Sequence, residues 1–346
     1  MPVYTAVTKW YLSLSMTKNT LYDQFGRPLQ YMRLAVTDRC NLRCFYCMPA
    51  EGIDHVSRKE LLSYEDMLRL TRIMVSLGVT KVRLTGGEPF VRKNFYGFLK
   101  RLSRVEGLEK IGITTNGAVA NRHIPFLKEI GITSINLSLD TLNKERFKEI
   151  TRRDFFNKAM STYKATLAAG MKLKINMVVL AGRNVTDIAP MAQLTEHDNV
   201  TVRFIEEMPF NGVGVHEDQK HLNYKDILAT ITKEFPLVET LPRALGATAQ
   251  EYRIKGFQGK FGIIAAWSRT FCGDCNRIRV TSTGKMKNCL YDGGILNLKR
   301  LLGSGSSDQM ISEAISQAYK KKHKDGFESE MNRTSVVSES MSTIGG

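Results

Sequence analysis

The chain has 346 residues, 42% of them hydrophobic, and a formal net charge of +16, enough for one large soluble domain or two ordinary ones with a full core. No apolar run reaches the roughly 20 residues of a membrane helix, and residues 10–16 lack a secretory core with a cleavage site, so a cytoplasmic protein without a membrane partner is expected. Lysines and arginines are dispersed, with one dense run over residues 320–324, so no nucleic-acid stripe is visible; the charge alone fits a solvated basic surface, nucleic acid or a polyanionic small substrate.

Residues 1–20 show no periodicity and read as a disordered extension, with Met16 as an alternative start to Met1. A turn over 21–28 then leads into an apolar strand over 32–37, which delivers Cys40, Cys44 and Cys47 in C-x3-C-x2-C spacing. Three thiols this close cannot all pair as disulfides, but they can share one metal centre. Zinc would need a fourth ligand or water, whereas a [4Fe-4S] cluster held by three cysteines keeps one iron free, and the spacing alone leaves both open.

An alternation of helices and strands follows. Ser63 opens a helix whose apolar residues Met67, Leu70, Ile73, Met74 and Leu77 recur at helical spacing. Strands are predicted over 79–85, 110–115, 134–139, 173–180 and 200–205, with helices near 96–105, 124–130, 146–170 and 186–196 between them. Parallel strands need crossover helices, so six strands in this rhythm predict an α/β fold, a partial (β/α)6 TIM-like barrel over 21–209. Ligands then bind at the C-terminal strand ends, where the chain places Gly86-Gly87-Glu88-Pro89, Thr114-Thr115-Asn116-Gly117, Ser138-Leu139-Asp140 and Glu206-Glu207-Met208.

Beyond a glycine-rich loop at 211–214, a smaller α+β segment is predicted over 210–330, with a helix near 224–235, strands over 251–254, 261–267 and 277–281, and a helix over 313–322. It carries Cys272, Cys275 and Cys289, a second trio without histidine, which leaves zinc a ligand short and favours a second cluster. A polar tail over 331–346 ends in Gly345-Gly346.

The cysteine loop with Tyr46, followed by Gly86-Gly87-Glu88-Pro89, resembles the radical S-adenosylmethionine (SAM) enzymes. Arg33 before the loop, Arg83 before the glycines, Cys272-x2-Cys275-Asn276-Arg277-Ile278-Arg279 with Cys289, and the Gly-Gly end resemble the GTP 3′,8-cyclase family of molybdenum cofactor biosynthesis, from about Leu21 to the last residue. The resemblance implies that SAM is cleaved reductively to a 5′-deoxyadenosyl radical, which takes the C3′ hydrogen of GTP. The ribose radical then adds to guanine C8, giving (8S)-3′,8-cyclo-7,8-dihydroguanosine 5′-triphosphate.

It further implies that Cys40, Cys44 and Cys47 hold the first [4Fe-4S] cluster and that Tyr46, Gly87, Ser138 and Met208 contact SAM. Arg33, Arg83, Thr114, Lys174, Arg277 and Arg279 would contact GTP, and Cys272, Cys275 and Cys289 would hold the second [4Fe-4S] cluster. Lys172, two residues from Lys174, competes for the substrate lysine. Arg33, Arg277, Arg279, Gly345 and Gly346 are the expected catalytic set, the tail threading into the barrel mouth as a strand and ordering the arginines. An electron donor such as flavodoxin or ferredoxin, the next enzyme of the pathway, and a monomeric or homodimeric state are implied as well. The competing readings are a radical SAM enzyme acting on a peptide and a zinc-bearing nucleic-acid-binding protein.

Overall fold

The computed structural model describes residues 20–208, 210, 221–333 and 340–345. The expected N-terminal extension, the glycine-rich loop at 211–214 and the terminal Gly346 lie outside the described residues.

Six parallel strands form the centre: β1 (Tyr31–Ala35), β2 (Lys81–Thr85), β3 (Lys110–Thr115), β4 (Ser134–Ser138), β5 (Lys172–Val179) and β6 (Thr201–Glu206). The helices α1 (Tyr64–Ser76), α2 (Phe95–Leu102), α3 (Ile124–Glu129), α4 (Lys144–Thr151), α5 (Phe156–Ala168) and α6 (Ile188–Gln193) connect them. The start of α1 is set by a capping box, in which Ser63 accepts from the Asp66 amide and the Asp66 carboxylate accepts from the Ser63 amide.

Residues beyond 210 contribute α7 (Tyr224–Glu234), β7 (Val238–Thr240), β8 (Gln250–Ile254), β9 (Lys260–Ile264), β10 (Arg277–Val280), β11 (Lys285–Lys287) and β12 (Leu296–Asn297). These strands do not build a sheet of their own. β9 pairs parallel with β6 and β10 pairs parallel with β1, so one sheet runs β12-β11-β10-β1-β2-β3-β4-β5-β6-β9-β8-β7. Both otherwise open edges of the six-stranded barrel are thus covered, which removes the unpaired amides that edge strands expose. Helices α8 (Leu298–Gly303), α9 (Asp308–Lys320) and α10 (Gly326–Met331) follow.

The tail departs from expectation. Residues 341–344 form a single helical turn, α11 (Met341–Ile344), rather than a strand, started by the Ser340 side chain accepting from the Ser342 amide. Ile344 is buried, so this is a docked end and not a solvated one.

Strand alternation decides which side chains meet the barrel interior. Met32, Leu34, Val82, Leu84, Ile278 and Val280 are all buried in the apolar core, while the residues between them, Tyr31, Arg33, Lys81, Arg83, Arg277 and Arg279, line a cavity.

Candidate active site

The cavity of about 550 Å³ lies on the cation-bearing face of the sheet. Register places Arg33 between Arg83 and Arg279, and Tyr31 between Lys81 and Arg277. Facing them are Lys174 and Arg203, on neighbouring strands. With Lys110 and Arg269, nine cations line the cavity against one carboxylate, Glu251, among the described residues. Gly112 stands opposite Arg83, where a β-carbon would come within 2.8 Å of the guanidinium, so this glycine makes room for the arginine.

Crowded like charge shows in the titration of these groups. Burial, then Arg83, lowers Arg203 to about 9, and burial, then Arg33 and Arg277, lowers Arg279 to about 9. Burial and Arg203 bring Lys174 down to about 8. Burial would raise the Tyr31 phenol, but Arg83, Arg33, Lys81 and Arg277 outweigh it and hold it at about 6. The buried atoms Arg203 Nε and Nη2, Arg277 Nε, Asn136 Oδ1, Asn176 Oδ1 and Asn288 Oδ1 have no hydrogen-bond partner among the described residues, and all belong to lining residues. The orphaned Arg203 and Arg277 donors are what a multiply charged anion would satisfy, and the three carboxamide oxygens are free to accept from polar groups of the same ligand.

Cys272, Cys275 and Cys289 lie at one side of this cavity. Burial would raise the Cys275 thiol, but Lys322 and Arg277 hold it down at about 6, whereas burial pushes Cys272 up to about 11 and Cys289 up as well. A second cavity of about 170 Å³ is lined by Cys40, Cys44, Cys47 and Tyr46. There burial pushes Cys40 up to about 12 and Cys47 to about 11. Both cavities share Asn176, Ile205, Met208 and Met341 in their walls, so they adjoin through the barrel mouth.

All six cysteines are unpaired thiols, and donors point at the sulfurs of Cys40 and Cys275. The Leu42 amide and Asn116 Nδ2 reach Cys40 Sγ at 3.4 and 3.7 Å, and Lys322 Nζ reaches Cys275 Sγ at 3.7 Å. Such donors suit thiolates bound to metal; at Cys40 binding would remove the thiol proton that burial otherwise retains. Among the described residues no three His, Cys, Asp or Glu side chains converge as they would on a single metal ion; a cubane instead needs its thiols spread around separate iron corners.

Gly86 and Gly87 line the smaller cavity and also have a steric purpose toward the cysteine loop. A β-carbon on Gly87 would strike the Arg39 carbonyl, and one on Gly86, at φ +132°, the Thr37 carbonyl. The missing side chains let this loop lie against the cysteine loop, with the Gly87 amide donating to Thr37 O at 2.9 Å and the Glu88 amide to Arg39 O at 2.8 Å. The Glu88 carboxylate accepts from the Asn116 amide at 2.7 Å, and burial raises it to about 7. Tyr46 donates to Asp140 Oδ2 at 2.8 Å, which orients its ring beside the cysteine loop.

Of the expected site residues, Tyr46, Gly87 and Ser138 line the smaller cavity and Met208 lines both. Arg33, Arg83, Lys174, Arg277 and Arg279 line the larger one; Lys172 is exposed, so Lys174 is the lysine that faces it. Thr114 opens into the smaller cavity, apart from the arginines. Gly345 sits at φ +86°, its carbonyl accepting from Arg279 Nη1 at 2.7 Å and Arg33 Nη2 at 3.5 Å. Arg277 is not part of that contact and donates to Gly246 O at 3.0 Å. Tyr31, Lys81 and Arg203 were missed from sequence, although each carries a signal: a polar or charged residue at an alternate position of a buried strand.

Residues 34–195 match the radical SAM superfamily and residues 200–328 match the family described as Molybdenum Cofactor Synthesis C. The chain is 41% identical to GTP 3′,8-cyclase of Geobacter sulfurreducens, over 85% of this chain and 90% of that protein. It is 38% identical to the mitochondrial GTP 3′,8-cyclase of Arabidopsis thaliana, over 87% and 77%, and 40% identical to human molybdenum cofactor biosynthesis protein 1, over 87% and 48%. The chain thus spans about half the length of that human relative and of several other curated relatives it matches. Its fold is similar to that of Streptococcus suis SuiB bound to S-adenosylmethionine, with TM-score 0.57 and 14% identity over 86% of this chain and 65% of that one. No helix among the described residues is long and apolar enough to cross a membrane.

Proposed function

Because the chain belongs to the GTP 3′,8-cyclase family of radical SAM enzymes, we propose that it converts GTP to (8S)-3′,8-cyclo-7,8-dihydroguanosine 5′-triphosphate. The observation that carries this reading is the pair of adjoining cavities, one walled by Cys40, Cys44 and Cys47 and the other by Cys272, Cys275 and Cys289 with nine cations.

Cys40, Cys44 and Cys47 would hold one [4Fe-4S] cluster, and Cys272, Cys275 and Cys289 a second. Loaded with SAM and an electron from a donor such as flavodoxin or ferredoxin, the first site would supply the radical chemistry that removes the C3′ hydrogen of GTP. Tyr46, Gly87, Ser138 and Met208 border the place for SAM, with Thr114 beside them. Arg33, Arg83, Lys174, Arg203 and Lys81 bind the triphosphate, for which paired guanidinium donors are suited. A peptide substrate would leave this concentration of cations without counter-charge. Gly345, by taking Arg279 and Arg33 on its carbonyl, orients two guanidinium groups at the join.

The test is anaerobic incubation of the iron-loaded chain with GTP, SAM and a chemical reductant. Expected are 5′-deoxyadenosine and a cyclised nucleotide in equal amounts; SAM cleavage that GTP neither accelerates nor couples to a nucleotide product would remove the proposal.

A further inference from the structure

One short stretch of the C-terminal segment touches every cysteine of the second trio. Lys322 Nζ lies 3.7 Å from Cys275 Sγ, and the Gly326 amide and the Ser329 hydroxyl sit beside Cys272 and Cys289, where each favours the thiolate form. These donors fall within residues 322–329, one for each sulfur. None of them belongs to the cysteine-bearing loops, so the contacts arise only because the chain returns after α9.

The return is fixed by Arg27 in the turn before β1. Its guanidinium donates to Cys272 O at 3.2 Å, Lys324 O at 2.8 Å and His323 O at 2.6 Å, and Asp23 neutralises it at 2.5 Å. Gln24 Nε2 donates to Lys322 O at 3.0 Å. The backbone around Lys322 is therefore tied to the backbone of Cys272 by buried, charge-assisted bonds.

Lys322 is 3% exposed. Besides Cys275 Sγ its ammonium reaches the Arg277 carbonyl, and among the described residues no carboxylate lies within ion-pair reach of it. A buried ammonium is costly without a counter-charge. The only anionic partners at hand are the thiolates, so the cation is placed to meet the charge of a metal-bound trio. Ser329 Oγ lies 3.0 Å from Asp325 O and 3.2 Å from His323 Nδ1 as well as beside Cys289; among these a thiolate is the strongest acceptor for its one proton.

We propose that residues 322–329 form a clasp on the second cluster, in which Lys322, Gly326 and Ser329 each donate to one sulfur and the Lys322 charge raises the cluster's reduction potential. The sign follows from charge: one electron from an external reductant makes the thiolate-bound core one unit more negative, and no proton is required. A fixed cation and hydrogen bonds to sulfur favour that more negative state.

The inference rests on the second trio holding a cluster, so the experiment separates the two. In the full-length chain with Cys40, Cys44 and Cys47 replaced by alanine, only the second site can carry iron. Iron content and a potentiometric titration followed by EPR are compared for that background and for added Lys322→Met, Lys322→Arg and Ser329→Ala. Absence of iron in the background removes the cluster reading itself. With iron present, Lys322→Met should shift the midpoint downward by at least tenfold in the oxidised-to-reduced ratio at fixed potential, which is 59 mV for a one-electron couple. Lys322→Arg should restore most of it. Ser329→Ala, which deletes one hydroxyl, should give a smaller shift in the same direction and carries the test if the methionine variant loses iron. Unchanged midpoints in the iron-bearing variants overturn the proposal.

Discussion

Arg279 Nη1 donates to the carbonyl oxygen of Gly345 at 2.7 Å, and the strand bearing Arg279 lies beside β1 with Arg279 opposite Arg33. The last described residue is therefore held against two arginines of the larger cavity, next to Thr85, which lines the smaller one. Its conformation, φ +86°, is one that L side chains rarely adopt, and a β-carbon would strike Thr85 Oγ1 and come within 3.0 Å of Ala35 Cβ.

Gly345→Ala should therefore displace the carbonyl from Arg279 while leaving both cysteine trios intact. The expected outcome is unchanged iron content and retained SAM cleavage, with cyclised product reduced about tenfold or more, equivalent to about 1.4 kcal/mol. Product analysis by chromatography beside an iron assay checks it; a wild-type product rate would contradict it.

The two trios should be separable. Cys44→Ala should abolish SAM cleavage, whereas Cys275→Ala should stop GTP turnover yet leave some uncoupled formation of 5′-deoxyadenosine, because the trios line different cavities. Equal loss of both activities in both variants would show that the sites do not divide the work in this way.

GTP binding should take up protons. In the empty cavity Tyr31 titrates at about 6 and Lys174 at about 8; a bound triphosphate favours the more positive form of each and raises both values. Uptake therefore begins above about pH 6 through Tyr31 and gains a second contribution above about pH 8 through Lys174, and affinity falls as pH rises across that window. Calorimetry at about pH 7.5 in buffers of different ionisation enthalpy reads the uptake directly. Tyr31→Phe should diminish it, and guanosine, lacking phosphates, should bind at least about tenfold more weakly with no uptake. Proton release on GTP binding would reverse the sign and refute this account.

Glu206 ties the late segment to the barrel. Buried at 1% exposure, its carboxylate accepts from the amides of Tyr224 at 2.6 Å, Trp267 at 2.8 Å and Ser268 at 2.7 Å, and from Ser268 Oγ at 2.8 Å. Glu206→Ala leaves those amides without their acceptor, and a loss of about 3–5 kcal/mol is expected. Chemical denaturation of the full chain measures it; a change below about 1 kcal/mol would mean that water replaces the carboxylate without penalty.

Local features were legible in the residue order. Strand β3 was predicted over its observed bounds, α1 began at the expected Ser63 cap, and Lys81/Arg83, Tyr31/Arg33 and Arg277/Arg279 carry the two-residue alternation that sends them to one face. The cysteine spacings likewise restrict each trio to one loop region or its neighbour. These properties arise from backbone periodicity and from chain short enough for spacing to limit distance.

Closure of the site is another matter. No local period announces that β10 pairs with β1 and β9 with β6, that Arg203 faces the arginines of β1 and β2 across the barrel, or that Thr114 lines the smaller cavity. Lys322 reads as one member of a solvated basic run until α9 returns it to Cys275, 47 residues earlier. Residue order by itself determined the strands, the two thiol trios and which side chains share a face. Only the tertiary structure decided which faces meet, because those pairings join residues far apart in the chain and are selected by the burial of the whole apolar core rather than by any neighbouring sequence.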